Sequence, residues 1–185
     1  MPDLLKKVKN KLNESWYWGD SNTKNYLNGS MYGNNVLNYM LWMYENHIQN
    51  KGYSIRKFSI ENEQIEHISP QNPTNGEPIE TGYEVDANNQ YSDEFTAQKL
   101  NSMGNLMLIS GSHNASIGNK PFSDKLATYK TNPLLNQQAE IIKFAKTEND
   151  LPIWKSESID ERQAKLLIFA MENWSFDLIK VTPIQ

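Results

Sequence analysis

Apolar residues recur at helical spacing in several places along this chain and alternate in strand fashion in two. Leu4, Leu5, Val8 and Leu12 fall on one face of a short helix, with lysines opposite. Residues 16–34 are rich in Asn, Gly, Ser and aromatics and read as an irregular connection, with a short helix over 21–27. From Asn35 the set Val36, Leu37, Met40, Leu41, Met43, Tyr44 and Ile48 repeats at three and four, and Lys51-Gly52 ends it. Tyr53, Ile55, Phe58 and Ile60 lead into a strand over 64–68. Residues 69–92 are loop by composition, with three prolines and an Asn75-Gly76 turn. A loop of that length inside a domain tends to be functional. Ser92-Asp93-Glu94-Phe95 predicts a helix start and Met103-Gly104 its end, followed by an apolar strand over 106–109 and a turn at Gly111-Ser112. Pro121 opens a further helix that ends near 131–133. Residues 134–146 read as helix, 147–156 as a linker holding Pro152 and Trp154, and 158–174 as the last long helix.

The fold class this implies is α+β, mostly helical. The parts are an N-terminal helical scaffold (1–58), a central core (59–131) and C-terminal helices (132–185), within one structural domain. A chain of 185 residues suffices for one proper core. The hydrophobic share is low at 38%, but five Trp and nine Tyr offset it, since large aromatics bury much area each. No apolar run approaches the roughly 20 residues of a membrane span, and the N-terminus lacks the apolar region of a signal peptide. The absence of cysteine excludes disulfides, thiol nucleophiles and a zinc-thiolate clip, so no structural zinc is expected. A cytoplasmic location is compatible with these features. The net charge of −4 suits a catalytic module that relies on another domain or subunit to grip nucleic acid, because autonomous DNA-binding domains are basic.

The chemistry concentrates in Ile65-Glu66-His67-Ile68-Ser69-Pro70-Gln71. Hydrolysis of a phosphodiester needs a base for the attacking water and a cation for the charge that builds on the phosphate. A histidine serves as base near neutral pH, and Mg²⁺ takes oxygen ligands from carboxylates or amide carbonyls. Adjacent strand residues point to opposite faces, so Glu66 and His67 can share a site only where the strand ends or bends, as Pro70 suggests. Downstream come Asn105-Leu106, then Asn114 nine residues after Asn105, then Lys120.

These motifs, in this order, resemble the HNH (His-Me finger) nucleases. The wording around them is similar to the C-terminal HNH domain of GmrSD-type, modification-dependent restriction endonucleases: Met103-Gly104-Asn105-Leu106-Met107-Leu108, Asn119-Lys120-Pro121-Phe122-Ser123-Asp124-Lys125 with Tyr129 beyond, and a closing Glu161-Arg162…Trp174 helix. The resemblance implies a ββα-metal core embedded in the flanking helices. It implies His67 as general base and a metal centre of Glu66 and Asn114 with His67 beside them. Asn105 would hold the loop that aims His67, and Lys120 or Lys125 would touch phosphate. The metal would be Mg²⁺, with Mn²⁺ as the alternative. The activity implied is cleavage of foreign, modified DNA in phage defence, with an N-terminal ParB-like nucleotide-hydrolysing domain as partner. Two features depart from the pattern: it more often has Asp where Glu66 stands, and His113 competes with Asn114 for the third position. A catalytically degenerate HNH fold that binds nucleic acid or protein, and a nuclease for RNA or single strands with bases stacked on Trp16, Trp18 or nearby tyrosines, stay open.

Overall fold

The computed structural model describes residues 2–12, 14, 19–49, 62–73, 81–131 and 135–175. In chain order its elements are α1 (Pro2–Leu12), α2 (Asp20–Leu27), α3 (Asn35–Ile48), β1 (Glu63–His67), α4 (Asp93–Phe95), β2 (Leu106–Ser110), α5 (Gly111–Ile117), α6 (Phe122–Thr131), α7 (Asn136–Ala139), β3 (Lys146–Glu148), β4 (Leu151–Ile153) and α8 (Ser156–Trp174). The α+β, mostly helical expectation holds. Among the described residues no helix is long and apolar enough to cross a membrane. The Lys51-Gly52 helix stop, the apolar positions of 53–60, Trp16, Trp18, Asn75-Gly76 and the boundary at 58/59 lie outside the described residues.

The two strands at the centre divide the core. β1 pairs antiparallel with β2, Glu66 opposite Met107 and His67 opposite Leu106. Met107 and Ile109 face one apolar cluster, built with Phe122, Tyr129, Trp154 and Ile159. Leu106 and Leu108 face the other, built with Leu37, Leu41, Tyr44 and Phe169. β2 is buried along its whole length, which is why it reads as an unbroken apolar run rather than an alternation. An isolated two-stranded ribbon is marginal in water; here helices cover both faces.

Several boundaries differ from the periodicity, each for a local reason. β1 begins and ends one residue early: the Ile68 amide still donates in register to the Asn105 carbonyl at 2.9 Å, but Asn105 belongs to the 3₁₀ turn ahead of β2, so strand pairing stops at His67. The expected helix over 92–104 is three turns of different width: α4 is capped by Ser92, a π turn follows over Thr96–Leu100, and a tight 3₁₀ turn over Met103–Asn105 leads into β2. Gly111-Ser112 is no turn. α5 starts there directly, with Ser110 as its cap, so Asn114 lies inside a helix rather than ahead of one. Residues 134–146 shorten to α7 plus a 3₁₀ turn over Glu140–Lys143. The supposed linker is a hairpin: Asn149 and Asp150 both take positive φ (48° and 64°), as a two-residue turn between β3 and β4 requires.

α8 fastens the turn ahead of β2. Gln163 Oε1 accepts from the Gly104 amide at 2.7 Å, and Arg162 Nη1 lies 2.8–2.9 Å from the carbonyls of Met103, Gly104 and Leu106. The approach is so close that a Cβ on Gly104 would sit 2.2 Å from the Ile159 carbonyl oxygen. Neither backbone can give way cheaply. Gly104→Ala is therefore expected to cost about 3 kcal/mol or more, read as a lowered urea midpoint; a cost below about 1 kcal/mol would contradict this seating of α8.

Candidate functional site

β1 carries Ile65 and His67 toward one cluster and Gln64 and Glu66 toward the other, as the two-residue period of a strand dictates. Where the strand gives out at Ile68, both Glu66 and His67 reach one cleft of about 190 Å³. Tyr32, Pro70, Asn114, Asn119 and Lys125 line it with them. Glu66, His67, Asn114 and Lys125 thus come together, although more than forty residues separate β1 from α5.

Asn105 is fully buried beneath the cleft, and its carboxamide is used completely. Its Nδ2 donates to the carbonyls of Ser69 (3.0 Å) and Leu100 (2.9 Å), and its Oδ1 accepts from the Ser69 amide (2.8 Å) and from Trp154 Nε1 (3.1 Å). Tyr91 adds a hydroxyl donated to the Pro70 carbonyl at 3.0 Å. The segment that follows His67 is therefore held from two sides.

His67 is 7% exposed. Its Nε2 lies 3.0 Å from Asn101 Oδ1, so the neutral ring carries its proton on Nε2 and keeps Nδ1 as acceptor. Tyr32 packs on the ring, with centroids 4.4 Å apart and planes tilted by 60°. Burial holds the imidazole below its usual pKa; the Asn101 contact opposes that shift, and the Lys125 charge adds to it.

Glu66 and Lys125 form a buried pair. Lys125, with no exposed surface, donates from Nζ to Glu66 Oε1 at 2.6 Å and to the His67 carbonyl at 3.0 Å. Tyr129, one turn on along the same face of α6, donates its hydroxyl to the same Oε1 at 2.9 Å. Burial raises the Glu66 carboxyl and lowers the Lys125 ammonium, each against its partner's charge. Among the described residues Glu66 Oε2 makes no hydrogen bond. Asn114 donates from Nδ2 to Gln64 Oε1 at 2.8 Å, which leaves its own carbonyl oxygen without a protein partner there.

The remaining candidates fall elsewhere. His113 points away from the cleft: Nε2 meets Thr128 Oγ1 at 3.0 Å and Nδ1 meets Gln138 Nε2 at 3.3 Å. Lys120 is exposed on the turn between α5 and α6, outside the cleft lining, its carbonyl accepting from the Tyr83 hydroxyl at 2.7 Å. Glu84 accepts from the Ser156 amide at 2.7 Å and so satisfies a free donor at the start of α8. Pattern reasoning missed Asn101, Tyr32 and Trp154. Each meets its partner only through tertiary packing, and no local spacing announces them.

The donor set suits a hard cation more than a soft one: one carboxylate oxygen and one amide oxygen facing a polar cleft, with a neutral imidazole beside them. Among the described residues no three His, Asp or Glu side chains gather into a denser metal cluster. Compared with known proteins, residues 14–168 match the family described as GmrSD restriction endonucleases, C-terminal domain. No curated protein and no solved structure matches the chain.

Proposed function

Because the chain belongs to the family of C-terminal domains of GmrSD restriction endonucleases, we propose that it is a metal-dependent DNA endonuclease domain of the HNH type. Its fold would then be a ββα-metal finger formed by β1, β2 and α5. The observation that carries this reading is the meeting of Glu66, His67 and Asn114 on one cleft.

In this reading His67 Nδ1 takes the proton of the attacking water, and Asn101 keeps the ring in the required tautomer. Asn105 sets the position of the strand end through Ser69. Glu66 Oε2 and Asn114 Oδ1 would hold a divalent cation, Mg²⁺ or Mn²⁺. When bound, that cation supplies charge neutralisation at the scissile phosphate. Lys125 keeps Glu66 aimed by occupying its other oxygen, so the phosphate contact falls to Lys120, exposed next in sequence to the cleft-lining Asn119. The biological setting we infer is restriction of foreign or modified DNA, in concert with an N-terminal nucleotide-hydrolysing domain or subunit.

A second reading is a catalytically degenerate fold that binds nucleic acid or protein. It is favoured by the Lys125 ammonium, which already neutralises Glu66 without a metal. Relaxation of supercoiled plasmid separates the two. Nicking that appears with Mg²⁺ or Mn²⁺ and stops with chelator is expected, and no nicking with either metal would reject the nuclease. Asn114→Ala is expected to raise the Mg²⁺ concentration for half-maximal nicking by about tenfold or more; an unchanged metal dependence would remove Asn114 from the ligand set.

A further inference from the structure

A second depression opens from the same cleft. It is about 550 Å³ in volume, nearly three times the cleft's 190 Å³, and Tyr32, Ile65 and Asn114 line both. It runs between β1 and the first turn of α3, and among the described residues no charged side chain lines it. Its polar walls are carboxamides, those of Asn35, Asn38, Gln64 and Asn114 among them, beside the apolar Leu37 and Ile65. Asn38 spends its Nδ2 on Glu63 at 2.9 Å, which leaves its Oδ1 as an acceptor, and Asn35 is exposed at the start of α3. Tyr32 presents 46% of its surface at the junction of the two depressions, its ring also touching His67.

This lining selects among ligands by its chemistry. A phosphate would call for cations, a hard metal for anionic oxygens, and an aliphatic group would leave the amides unpaired. A flat heterocycle with donors and acceptors on its edge suits all of it: carboxamides match base edges, and an aromatic ring stacks on a base face. We propose that this groove receives a nucleobase of the strand whose backbone lies in the cleft, stacked on Tyr32 and contacted at its edge by Asn35 and Asn38. The proposal rests on the nuclease reading for what occupies the cleft, and it adds that the strand is locally unstacked there.

The test is binding without cutting. The full chain is titrated in chelator with short single-stranded oligonucleotides, of DNA and of RNA, carrying 2-aminopurine or an abasic residue at successive positions. The expected result is fluorescence quenching at one position, about tenfold weaker binding when that position is abasic, and a similar loss in Tyr32→Leu. Asn35→Ala, at an exposed position, is expected to reduce the difference between base-bearing and abasic strands. Whichever sugar binds more tightly, position-specific quenching supports the groove and names the source of the base. Equal affinity for base-bearing and abasic strands, or for wild type and Tyr32→Leu, overturns it. Because this readout needs no hydrolysis, loss of the nuclease reading in the plasmid assay would leave it standing as a separate result.

Discussion

His67→Gln should lower plasmid nicking by two to four orders of magnitude, roughly the contribution of a positioned general base, while the protein stays folded. Glutamine is the substitution to use. His67 is buried against Tyr32, so truncation to alanine would leave a hole and cost on the order of 1–3 kcal/mol for packing alone, confusing chemistry with stability. Wild-type nicking by the glutamine variant would remove His67 as the base. The acid side of the pH profile provides a second check. Only the neutral imidazole accepts a proton, and burial lowers its pKa, so activity should persist below 6.5 and fail only as the pH drops through the folded-state value. Stability follows the same direction. Between the folded and unfolded values the unfolded chain binds the proton first, so this group removes stability as pH falls through that window.

Lys125→Met should destabilise the fold by about 3–5 kcal/mol, because it leaves the Glu66 carboxylate buried with only Tyr129 to answer it. The double substitution Glu66→Gln with Lys125→Met should recover most or all of that loss. Burial disfavours the charged form of both partners, raising Glu66 and lowering Lys125, so two neutral side chains of similar size avoid a desolvation cost that the 2.6 Å contact only partly offsets. The same double variant should be inactive, since it exchanges the carboxylate for an amide. Urea midpoints of the two single variants and the double one form the required cycle. A double variant as unstable as Lys125→Met would show that Glu66 and Lys125 do not act as an isolated pair.

Much of this architecture is legible in the sequence. The spacing of Val36 to Ile48 located α3, the apolar run from Leu106 located β2, and Pro121 marked the start of α6, because in each case one element's own periodicity records which face it buries. The sequence motif also drew attention to the residues that line the cleft. What escaped was whatever depends on two distant segments meeting. Nothing near Asn101 indicates that it reaches His67. Nothing near Lys125 indicates that its ammonium turns inward to Glu66; a lysine on a helix is ordinarily solvated, and only the buried carboxylate opposite reverses that expectation. The β3–β4 hairpin escaped for a different reason: its strands are three residues each, too short for alternation to register, and Asn149-Asp150 was the one signal available. Of the aromatics in the 16–34 stretch, Trp16 and Trp18 lie outside the described residues, whereas Tyr32, one of the nearby tyrosines, sits beside the imidazole.

The grip of Arg162 and Gln163 on the turn before β2 bears on how the protein is made. During translation the strand with the histidine emerges early, but the clamp that seats its partner strand arrives only when residue 163 has left the ribosome. Until then a nascent chain holds every residue of the candidate site, while the turn ahead of β2 still lacks the side chains that fasten it, so the cleft would be completed last.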